Sequence, residues 1–425
     1  MKIKFRRWGS IGVLAIVALL WSMNGRTLPL GIHTLHADDA EAQLSRNLGA
    51  QSIVQVFAWS EIEPTQGEFH WEYTDWLVRA AEYYHLRVIA RLDKPPSWAT
   101  YESTTFSAPP NRLPDYGDFV AQVAMRYRGR IAAYIVWNEP NLAREWGDRT
   151  PNPSDYMALL QTASARLRTA DPNALIVSAG LAPTNDHTAQ ALDDRDFLRA
   201  MYAAGARGAF DVLAAHPYGF AQPPDDPRNA HNSLNFWRLQ DLRDIMIANG
   251  DAAKPIWITE FGYPTEISIA SASSRVNENQ QAQWLARAYE IARAQMPFVD
   301  LFTVWNLTRA AVAPQDQAGF SLLRADGTFK PAYATVQAMP KSSVVTAVSA
   351  NLTSLFDVPA RVSAFPILTR DAAIHLGDAE YSYPWVPLYR GKTPSVEWTG
   401  EFYLRDSDLQ SAAWGEPWTL TLELM

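Results

Sequence analysis

The stretch YIVWNEPNL, residues 134–142, decides the fold together with WITEFGYPT, residues 257–265. Each stretch begins as a run of β-branched and aromatic residues, which favours a strand. The first run stops at Glu139 and the second at Glu260. A carboxylate at the end of a buried strand costs free energy unless it is paired or takes part in chemistry. The two stretches therefore predict two strand ends that carry function.

Strand-like and helix-like segments alternate from about residue 27 to residue 340. The strand candidates are nearly continuous apolar runs, as expected for parallel strands that are buried on both faces. Amphipathic segments follow most of these runs, and Ser154 is predicted to cap the helix after the fourth run. The pattern predicts an α/β fold of the (β/α)8 TIM-barrel type. The eight runs are LPLGIHTLH, SIVQVFAW, LRVIARLD, IAAYIVWNE, ALIVSAG, FDVLAAHPY, PIWITEFGY and FVDLFTVWN.

The predicted connections differ in length at the two ends of the barrel. Segments after the strands are long, with KPPSWATYESTTFSAPPNRLP as the extreme case, whereas those before the strands are short, such as DPNA. This asymmetry predicts a functional site at the C-terminal ends of the strands. Strands four and seven face each other across a closed barrel, so Glu139 and Glu260 can flank one substrate bond. General acid/base and nucleophilic chemistry on a glycosidic bond requires two carboxylates in this arrangement.

The first 26 residues have the pattern of an export signal. A basic segment that contains Lys2, Lys4, Arg6 and Arg7 precedes a short apolar run, residues 11–21. The run is shorter than a membrane span normally needs, which favours a secretory signal peptide. Because no good A-x-A cleavage site follows, an uncleaved membrane anchor remains the alternative. Either reading predicts an exported protein, secreted or attached to the outer face of the cytoplasmic membrane.

The pattern changes after residue 340. Residues 341–425 alternate at the strand period with turn signals between the strands, which predicts a small all-β, sandwich-like domain. The segment 373–425 loosely resembles galactose-binding-like jelly rolls. A structural accessory module and a sugar-binding module therefore both remain open for this domain. The predicted organisation is 1–26 signal or anchor, 27–340 catalytic barrel and 341–425 accessory domain.

Composition excludes several classes of function. The net charge is −8 and no basic stripe follows the N-terminus, so the electrostatic footprint of nucleic-acid binding is missing. The chain has no Cys, which excludes disulfides, zinc-thiolate sites and a Cys nucleophile. We interpret the spaced pair His33 and His36 as loop or strand-end histidines rather than metal ligands. The sequence predicts no metal and no cofactor.

The motif Asn138-Glu139-Pro140 on strand four, together with the glutamate on strand seven, resembles the signature of clan A glycoside hydrolases. Within that clan, WSEIEPTQGEFHW (59–71), Pro-Pro-Ser-Trp after strand three and GFSLLRADGTFKPAY (319–333) resemble family 39. That family groups β-xylosidases and exopolysaccharide hydrolases, and cellulase-like enzymes are related to it. The resemblance covers essentially the whole barrel. It implies a (β/α)8 fold and a retaining glycosidase that acts on carbohydrate.

The resemblance also implies roles for individual residues. Glu139 matches the general acid/base and Glu260 matches the nucleophile, with Glu139 protonated at the start because the Glu260 charge raises its pKa. Asn138 matches the residue that holds the sugar 2-hydroxyl. His216 and Tyr218 match the strand-six pair of the clan. The tyrosine would donate to Glu260, and a purely structural role stays open for the histidine.

Three further residues are candidates for contacts with substrate. Trp305 at the end of strand eight matches a stacking platform for a sugar ring. Trp59, in a predicted mouth loop, is a candidate for lining a subsite, with core packing as the alternative. Family members commonly carry a basic residue within strand two, where this chain has Val54 and Gln55. Arg91 on strand three is the candidate for supplying the missing charge.

The residues alone leave other readings open. A catalytically silent glycan-binding protein could use the same scaffold, although the presence of both glutamates argues against it. A transglycosylase would share every residue named above. The sugar, the linkage, endo against exo attack and the oligomeric state are not specified by the sequence.

Overall fold

A computed structural model describes residues 26–100, 105, 107–265, 275–308 and 315–341, together with the backbone of four strands beyond them. The predicted signal or anchor therefore lies almost wholly outside the described residues. Contacts divide the chain into two compact units, with the boundary after Lys341. Within the described part of the chain, no helix is long and apolar enough to cross a membrane.

Eight parallel strands form the first unit in the order β5-β4-β3-β2-β1-β8-β7-β6. A parallel bridge between Val177 and Val212 joins β5 to the segment that leads into β6 and closes the sheet. The predicted (β/α)8 barrel is therefore confirmed. The strands are β1 Leu30–Thr34, β2 Ser52–Ala58, β3 Arg87–Asp93, β4 Ile131–Val136, β5 Leu175–Val177, β6 Leu213–Ala215, β7 Ile256–Ile258 and β8 Val299–Trp305.

Helices follow the strands in the chain and cover the outside of the barrel. Among the described helices, the two longest follow β4 and β7 and contain 18 residues each. In the described residues the helices are α1 Asp39–Asn47, α2 Trp59–Ile62, α3 Glu72–Tyr83, α4 Ser97–Thr100, α5 Leu113–Arg126, α6 Pro153–Ala170, α7 Asp194–Ala203, α8 Arg238–Ala248, α9 Glu278–Gln295, α10 Gln315–Ala318 and α11 Pro331–Ala338.

Two local features differ from the sequence prediction. Helix α1 was not predicted, and Asp38 caps it by accepting a hydrogen bond from the backbone N–H of Glu41. The cap of α6 is Asn152 rather than Ser154, because the Asn152 side chain accepts from the backbone N–H groups of Ser154 and Asp155. Pro153 occupies the first turn of α6, where the missing N–H of proline costs nothing.

The core has two layers, one on each face of the sheet. Alternate residues of a strand point to opposite faces, so Ile53 packs outward against the helices while Val54 points into the barrel. The side chains inside the barrel pack into a solid floor beneath the C-terminal ends of the strands. These interior residues are Val54, Ile89, Ala133, Ile135, Val177, Val212, Ala214, Trp257 and Leu301.

The second unit contains an antiparallel sheet of four described strands in the order β11-β10-β12-β9. The alternating pattern after residue 340 predicts strands in residues 341–358, 361–368, 372–377, 398–404 and 418–425. Three of the described strands fall in these stretches, and residues 361–368 and 398–404 lie outside the described residues. The sandwich-like domain stays a prediction. The strands are β9 Ser349–Leu352, β10 Ala373–Leu376, β11 Ala379–Tyr381 and β12 Trp418–Glu423.

Candidate active site

The barrel brings the two sequence-predicted glutamates to one place. Glu139 follows the end of β4 and Glu260 follows the end of β7, on opposite sides of the mouth. One oxygen of each carboxylate and a ring nitrogen of His216 all lie within 4.8 Å of one another. Glu139 is 7% exposed and Glu260 is 6% exposed. Two buried carboxylates therefore face one small volume at the barrel mouth.

The backbone after β4 is strained where it carries Glu139. Trp137 has φ 75° and Glu139 has φ 38°, values in the left-handed region that cost free energy for residues other than glycine. The Glu139 N–H donates to the Gly180 carbonyl at 3.1 Å. A side chain at Gly180 would lie 2.1 Å from Nε2 of His216. Only glycine therefore lets the loop after β5 support both Glu139 and His216.

His216 connects the two carboxylates. Its Nδ1 lies 2.9 Å from Oε1 of Glu139 and 3.6 Å from Oε2 of Glu260. Its Nε2 lies 3.0 Å from the Thr259 hydroxyl. Burial works to lower the His216 pKa, but the charges of Glu260 and Glu139 outweigh it and raise the pKa above its ordinary value. The structure therefore gives His216 a defined electrostatic part in the site, beyond that of a structural histidine.

Arg91 and Tyr218 hold the Glu260 carboxylate. Arg91 donates to Oε1 of Glu260 at 2.8 Å and to Oδ1 of Asn138 at 3.2 Å. Its Nε lies 2.9 Å from Oδ2 of Asp93, an ion pair without hydrogen-bond geometry. The Tyr218 hydroxyl donates to Oε2 of Glu260 at 3.0 Å. Strand β2 carries no basic residue, and Arg91 on β3 places a buried positive charge next to Glu260, the predicted nucleophile.

The pKa shifts of the two glutamates differ from the sequence expectation. Burial works to raise the pKa of Glu139, but the hydrogen bond and charge of His216 and the charges of Arg144 and Arg91 together lower it. Burial and the Glu139 charge raise the pKa of Glu260 against the effects of His216 and Arg91. The sequence expectation was a Glu139 pKa raised by the Glu260 charge, whereas the net shift of the Glu139 pKa is downward. That expectation overlooked His216, which lies close enough to take the proton.

Trp305 and His33 form one wall of the site. Trp305 ends β8 and is 7% exposed, and the His33 ring packs edge-on against it at 4.4 Å. Nδ1 of His33 lies 2.9 Å from the Thr34 carbonyl, and its Nε2 lies 3.9 Å from Oε1 of Glu260. Burial and the Arg91 charge lower the His33 pKa well below its ordinary value. His33 is thus a neutral residue of the site that the sequence interpretation missed.

The predicted substrate contact of Trp59 is wrong. Trp59 is fully buried and stacks on Phe119 at a centroid distance of 5.1 Å. Its Nε1 donates to Oε2 of Glu63 at 2.7 Å. The ring therefore fills the core outside the barrel, because the chain turns into α2 at this residue. Trp98 and Trp146 also lie in predicted mouth loops and are candidates for lining subsites on the sequence alone. Trp146 is buried, whereas Trp98 is half-buried.

Glu145 is a third carboxylate of the site, and the sequence interpretation did not single it out. It ends the short 3-10 turn Ala143–Glu145 that follows the Glu139 loop. Its Oε2 accepts a hydrogen bond from Nδ2 of Asn138 at 3.3 Å. Burial and the Glu139 charge raise the pKa of Glu145. A polar residue in a loop has no periodic sequence pattern that predicts its surroundings. Glu145 is therefore recognised as part of the site only from its contacts in the structure.

The donor geometry also bears on metal binding. Glu139, His216 and Glu260 are close enough together to ligate an ion. Arg91 and Tyr218, however, already occupy both oxygens of Glu260, and a cation would lie against the guanidinium. The arrangement fits organic acid/base chemistry better than metal chemistry. The prediction that no metal is used stays a prediction.

Comparisons with known proteins agree with this fold and site. Residues 113–300 match the family model described as the glycosyl hydrolase catalytic core. The matched segment contains Asn138, Glu139, His216, Tyr218 and Glu260. A search of curated protein sequences finds no match.

Solved structures give similar barrels. A family 39 glycoside hydrolase from Bacteroides cellulosilyticus WH2 aligns with a TM-score of 0.59 at 18% identity, over 94% of this chain and 82% of the other. A glucosidase from Croceicoccus marinus aligns with a TM-score of 0.55 at 14% identity, over 73% of this chain and 66% of the other. Xylanase 10B from Thermotoga petrophila RKU-1 aligns with a TM-score of 0.51 at 16% identity, over 79% and 98%.

The fold is a TIM barrel, and residues 113–300 of it are similar to the glycosyl hydrolase catalytic core. The resemblance to clan A glycoside hydrolases, which the sequence motifs indicate, is confirmed.

Proposed function

We propose that the protein is a retaining glycoside hydrolase that cleaves O-glycosidic bonds of an extracellular or cell-surface polysaccharide or oligosaccharide. The separation of the two carboxylates is the main support, since an oxygen of Glu139 and one of Glu260 lie within 4.8 Å. Carboxyl groups of retaining glycosidases are about 5–5.5 Å apart, whereas inverting enzymes need about 6.5–9.5 Å to admit a water. Oxygens this close leave little room for a water between the two carboxylates, which favours double displacement through a covalent intermediate.

In the first step Glu260 attacks the anomeric carbon. A new C–O bond forms to the carboxylate while the bond to the leaving oxygen breaks, and that oxygen takes a proton from Glu139. Arg91 and Tyr218 fix the orientation of Glu260. His216 can supply the proton to Glu139 across their 2.9 Å contact. One proton shared by Glu139 and His216 is therefore sufficient for the step.

In the second step Glu139 acts as a base. It takes a proton from water, whose oxygen forms a bond to the anomeric carbon as the Glu260 carboxylate leaves. Two displacements at one carbon restore its configuration. At the end of the step the proton lies again on the pair formed by Glu139 and His216, and Glu260 is ionised for the next turnover.

Contacts that hold the sugar are part of the proposal. Asn138 would bind the 2-hydroxyl with an amide N–H, and Trp305 would stack on the ring. Asn138 shares the Arg91 guanidinium with Glu260. Trp305 packs against His33, whose Nε2 lies 3.9 Å from Oε1 of Glu260. The export of the protein rests on the sequence pattern of residues 1–26 alone.

The experiment compares hydrolysis of a panel of aryl glycosides and polysaccharides by the wild type and by Glu260→Gln. Glu61→Gln is the matched control, because Glu61 is an exposed glutamate of the mouth. We expect the wild type and the control to hydrolyse at least one substrate, and Glu260→Gln to lose several orders of magnitude in rate. Equal rates for wild type and Glu260→Gln would overturn the proposal. Binding without turnover would indicate a glycan-binding protein.

A further inference from the structure

Glu145 occupies an unusual position for a rim residue. Its side chain is 21% exposed, although the residue belongs to a loop at the barrel mouth. Oε2 accepts from Nδ2 of Asn138 at 3.3 Å. The other polar atom of the same amide, Oδ1, accepts from Arg91 at 3.2 Å. Glu145 and Arg91 thus hold Asn138 from both ends, and one N–H of the amide is left for a ligand.

These contacts link the rim to the nucleophile. Arg91 also donates to Oε1 of Glu260 at 2.8 Å, so the hydrogen bonds run from Glu145 through Asn138 and Arg91 to Glu260. If Glu145 lost its oxygen, the Asn138 amide could rotate and exchange its donor and acceptor ends. A misplaced amide would cost the contact to the 2-hydroxyl, which strengthens in the transition state of glycoside hydrolysis.

Arg144 lies between Glu145 and the predicted proton donor. One of its terminal nitrogens is 3.5 Å from Oε2 of Glu139, and its Nε is 4.0 Å from Oε1 of Glu145. The Arg144 side chain is 73% exposed. Glu145 is therefore placed to hold Arg144 and to offset its positive charge beside Glu139.

We propose that Glu145 is a positioning residue of this site, which fixes the Asn138 amide toward the sugar 2-hydroxyl and balances Arg144 beside the proton donor Glu139. The inference rests on the proposed glycosidase function. Glu145 acts through Asn138 and Arg144 and forms no bond to the reacting atoms.

Charged groups from several elements surround Glu139 and Glu145, and they set the sign of the expected pH effect. Arg91 on β3, Lys94 after β3, His216 after β6, Glu260 after β7 and Arg144 all act on the two carboxylates. Glu145 is the anion beside Arg144, so its removal leaves the Arg144 charge next to Glu139 without this offset. Loss of the Glu145 negative charge disfavours the protonated form of the pair formed by Glu139 and His216. Loss of the Arg144 positive charge favours this protonated form.

The experiment measures kcat/KM against pH for Glu145→Gln, Glu145→Ala and Arg144→Gln, on an aryl glycoside and its 2-deoxy analogue. Glu145→Gln keeps an acceptor for Asn138. We expect it to move the basic limb of the profile of kcat/KM against pH down by about 0.5–1 pH unit. Arg144→Gln should move the same limb up. Glu145→Ala should lose about tenfold on the glycoside and less on the 2-deoxy analogue, which lacks the hydroxyl that Asn138 would bind.

A second measurement does not depend on turnover. Titration of the His216 ring by NMR should give a lower apparent pKa in Glu145→Gln and a higher one in Arg144→Gln. The inference would be overturned if Glu145→Gln and Arg144→Gln kept the wild-type pH profile and the wild-type His216 titration, and Glu145→Ala kept the wild-type rate. In that case Glu260→Gln would still be inactive, and the proposed function would stand. Equal activity of wild type and Glu260→Gln would instead overturn the proposed function. Thermal unfolding of each variant checks that it is folded.

Discussion

Nδ1 of His216 lies 2.9 Å from Oε1 of Glu139, within hydrogen-bond distance, at the bottom of the barrel mouth. Both groups are buried, and each shifts the pKa of the other, because the Glu139 charge raises the His216 pKa and His216 lowers the Glu139 pKa. The two side chains therefore titrate as one unit that stores one proton. This unit is the proton donor of the proposed first step.

The pH dependence of activity follows from these shifts. The Glu260 pKa is raised above its ordinary value of 4.5, so the nucleophile is lost to protonation on an acidic limb that lies above pH 4.5. The His216 pKa is raised above 6.5, so the shared proton is lost on a basic limb that lies above pH 6.5. We expect a bell-shaped profile of kcat/KM, which reports the free enzyme. A basic limb well below pH 6.5 would contradict the proposed proton store.

Tyr218→Phe tests the hydrogen bond that holds the nucleophile. The Tyr218 hydroxyl donates to Glu260 at 3.0 Å and helps to keep the Glu260 pKa down. A hydrogen bond to a charged group contributes about 1.5–3 kcal/mol, so kcat/KM should fall about 10- to 100-fold. The acidic limb should also move to higher pH. Tyr83→Phe, at an exposed tyrosine, is the control. An unchanged acidic limb for Tyr218→Phe would show that the hydroxyl does not act on Glu260.

Arg91→Met tests whether β3 supplies the charge that the site needs. The substitution leaves Glu260 and Asp93 buried without their cation. Breaking such a buried pair from one side costs about 3–5 kcal/mol, measurable as a lower free energy of unfolding in denaturant. The acidic limb should move to higher pH, because Arg91 lowers the Glu260 pKa. Wild-type stability together with a wild-type pH profile would rule out this role for Arg91.

The buried ion pair between Arg238 and Asp194 tests the stability of the fold away from the barrel mouth. It is 1% exposed and bonded to Asp194, to the Thr184 carbonyl and to Oδ1 of Asn185. Arg238→Leu should lower the free energy of unfolding by about 3–5 kcal/mol, because the Asp194 carboxylate stays buried without its bonded guanidinium. Arg166→Leu, which breaks an exposed ion pair to Asp118, should cost about 0–1 kcal/mol. Equal losses for the two variants would contradict the account.

Several of these features could be predicted from the sequence because the signal is local. The strands that lead to Glu139 and Glu260 are apolar runs that stop abruptly at a carboxylate, so their type, order and ends are readable. The Asn138-Glu139-Pro140 motif adds a resemblance to known enzymes. Helix α1 gave a weaker signal, since its sequence DAEAQLSRN contains few apolar residues.

Other features depend on neighbours that are distant in the chain. His33 faces Glu260 only because β1 lies two strands from β7 in the closed barrel. Glu145 became visible through its contact with Asn138. The sequence left substrate contact and core packing open for Trp59, because a strand end does not indicate to which side the ring turns. In the structure the ring packs into the outer core. The effect of His216 on the Glu139 pKa could not be predicted, because it depends on the distance between two side chains that follow β4 and β6.

The most direct test of the central claim is to trap the intermediate on Glu260. The wild type is treated with an activated 2-deoxy-2-fluoro glycoside of a sugar that it hydrolyses, and the modified peptide is located by mass spectrometry. A retaining mechanism predicts one glycosyl group on Glu260, none in Glu260→Gln, and a first product with the substrate's anomeric configuration. A glycosyl group on a different carboxylate, or a first product of inverted configuration, would contradict the account.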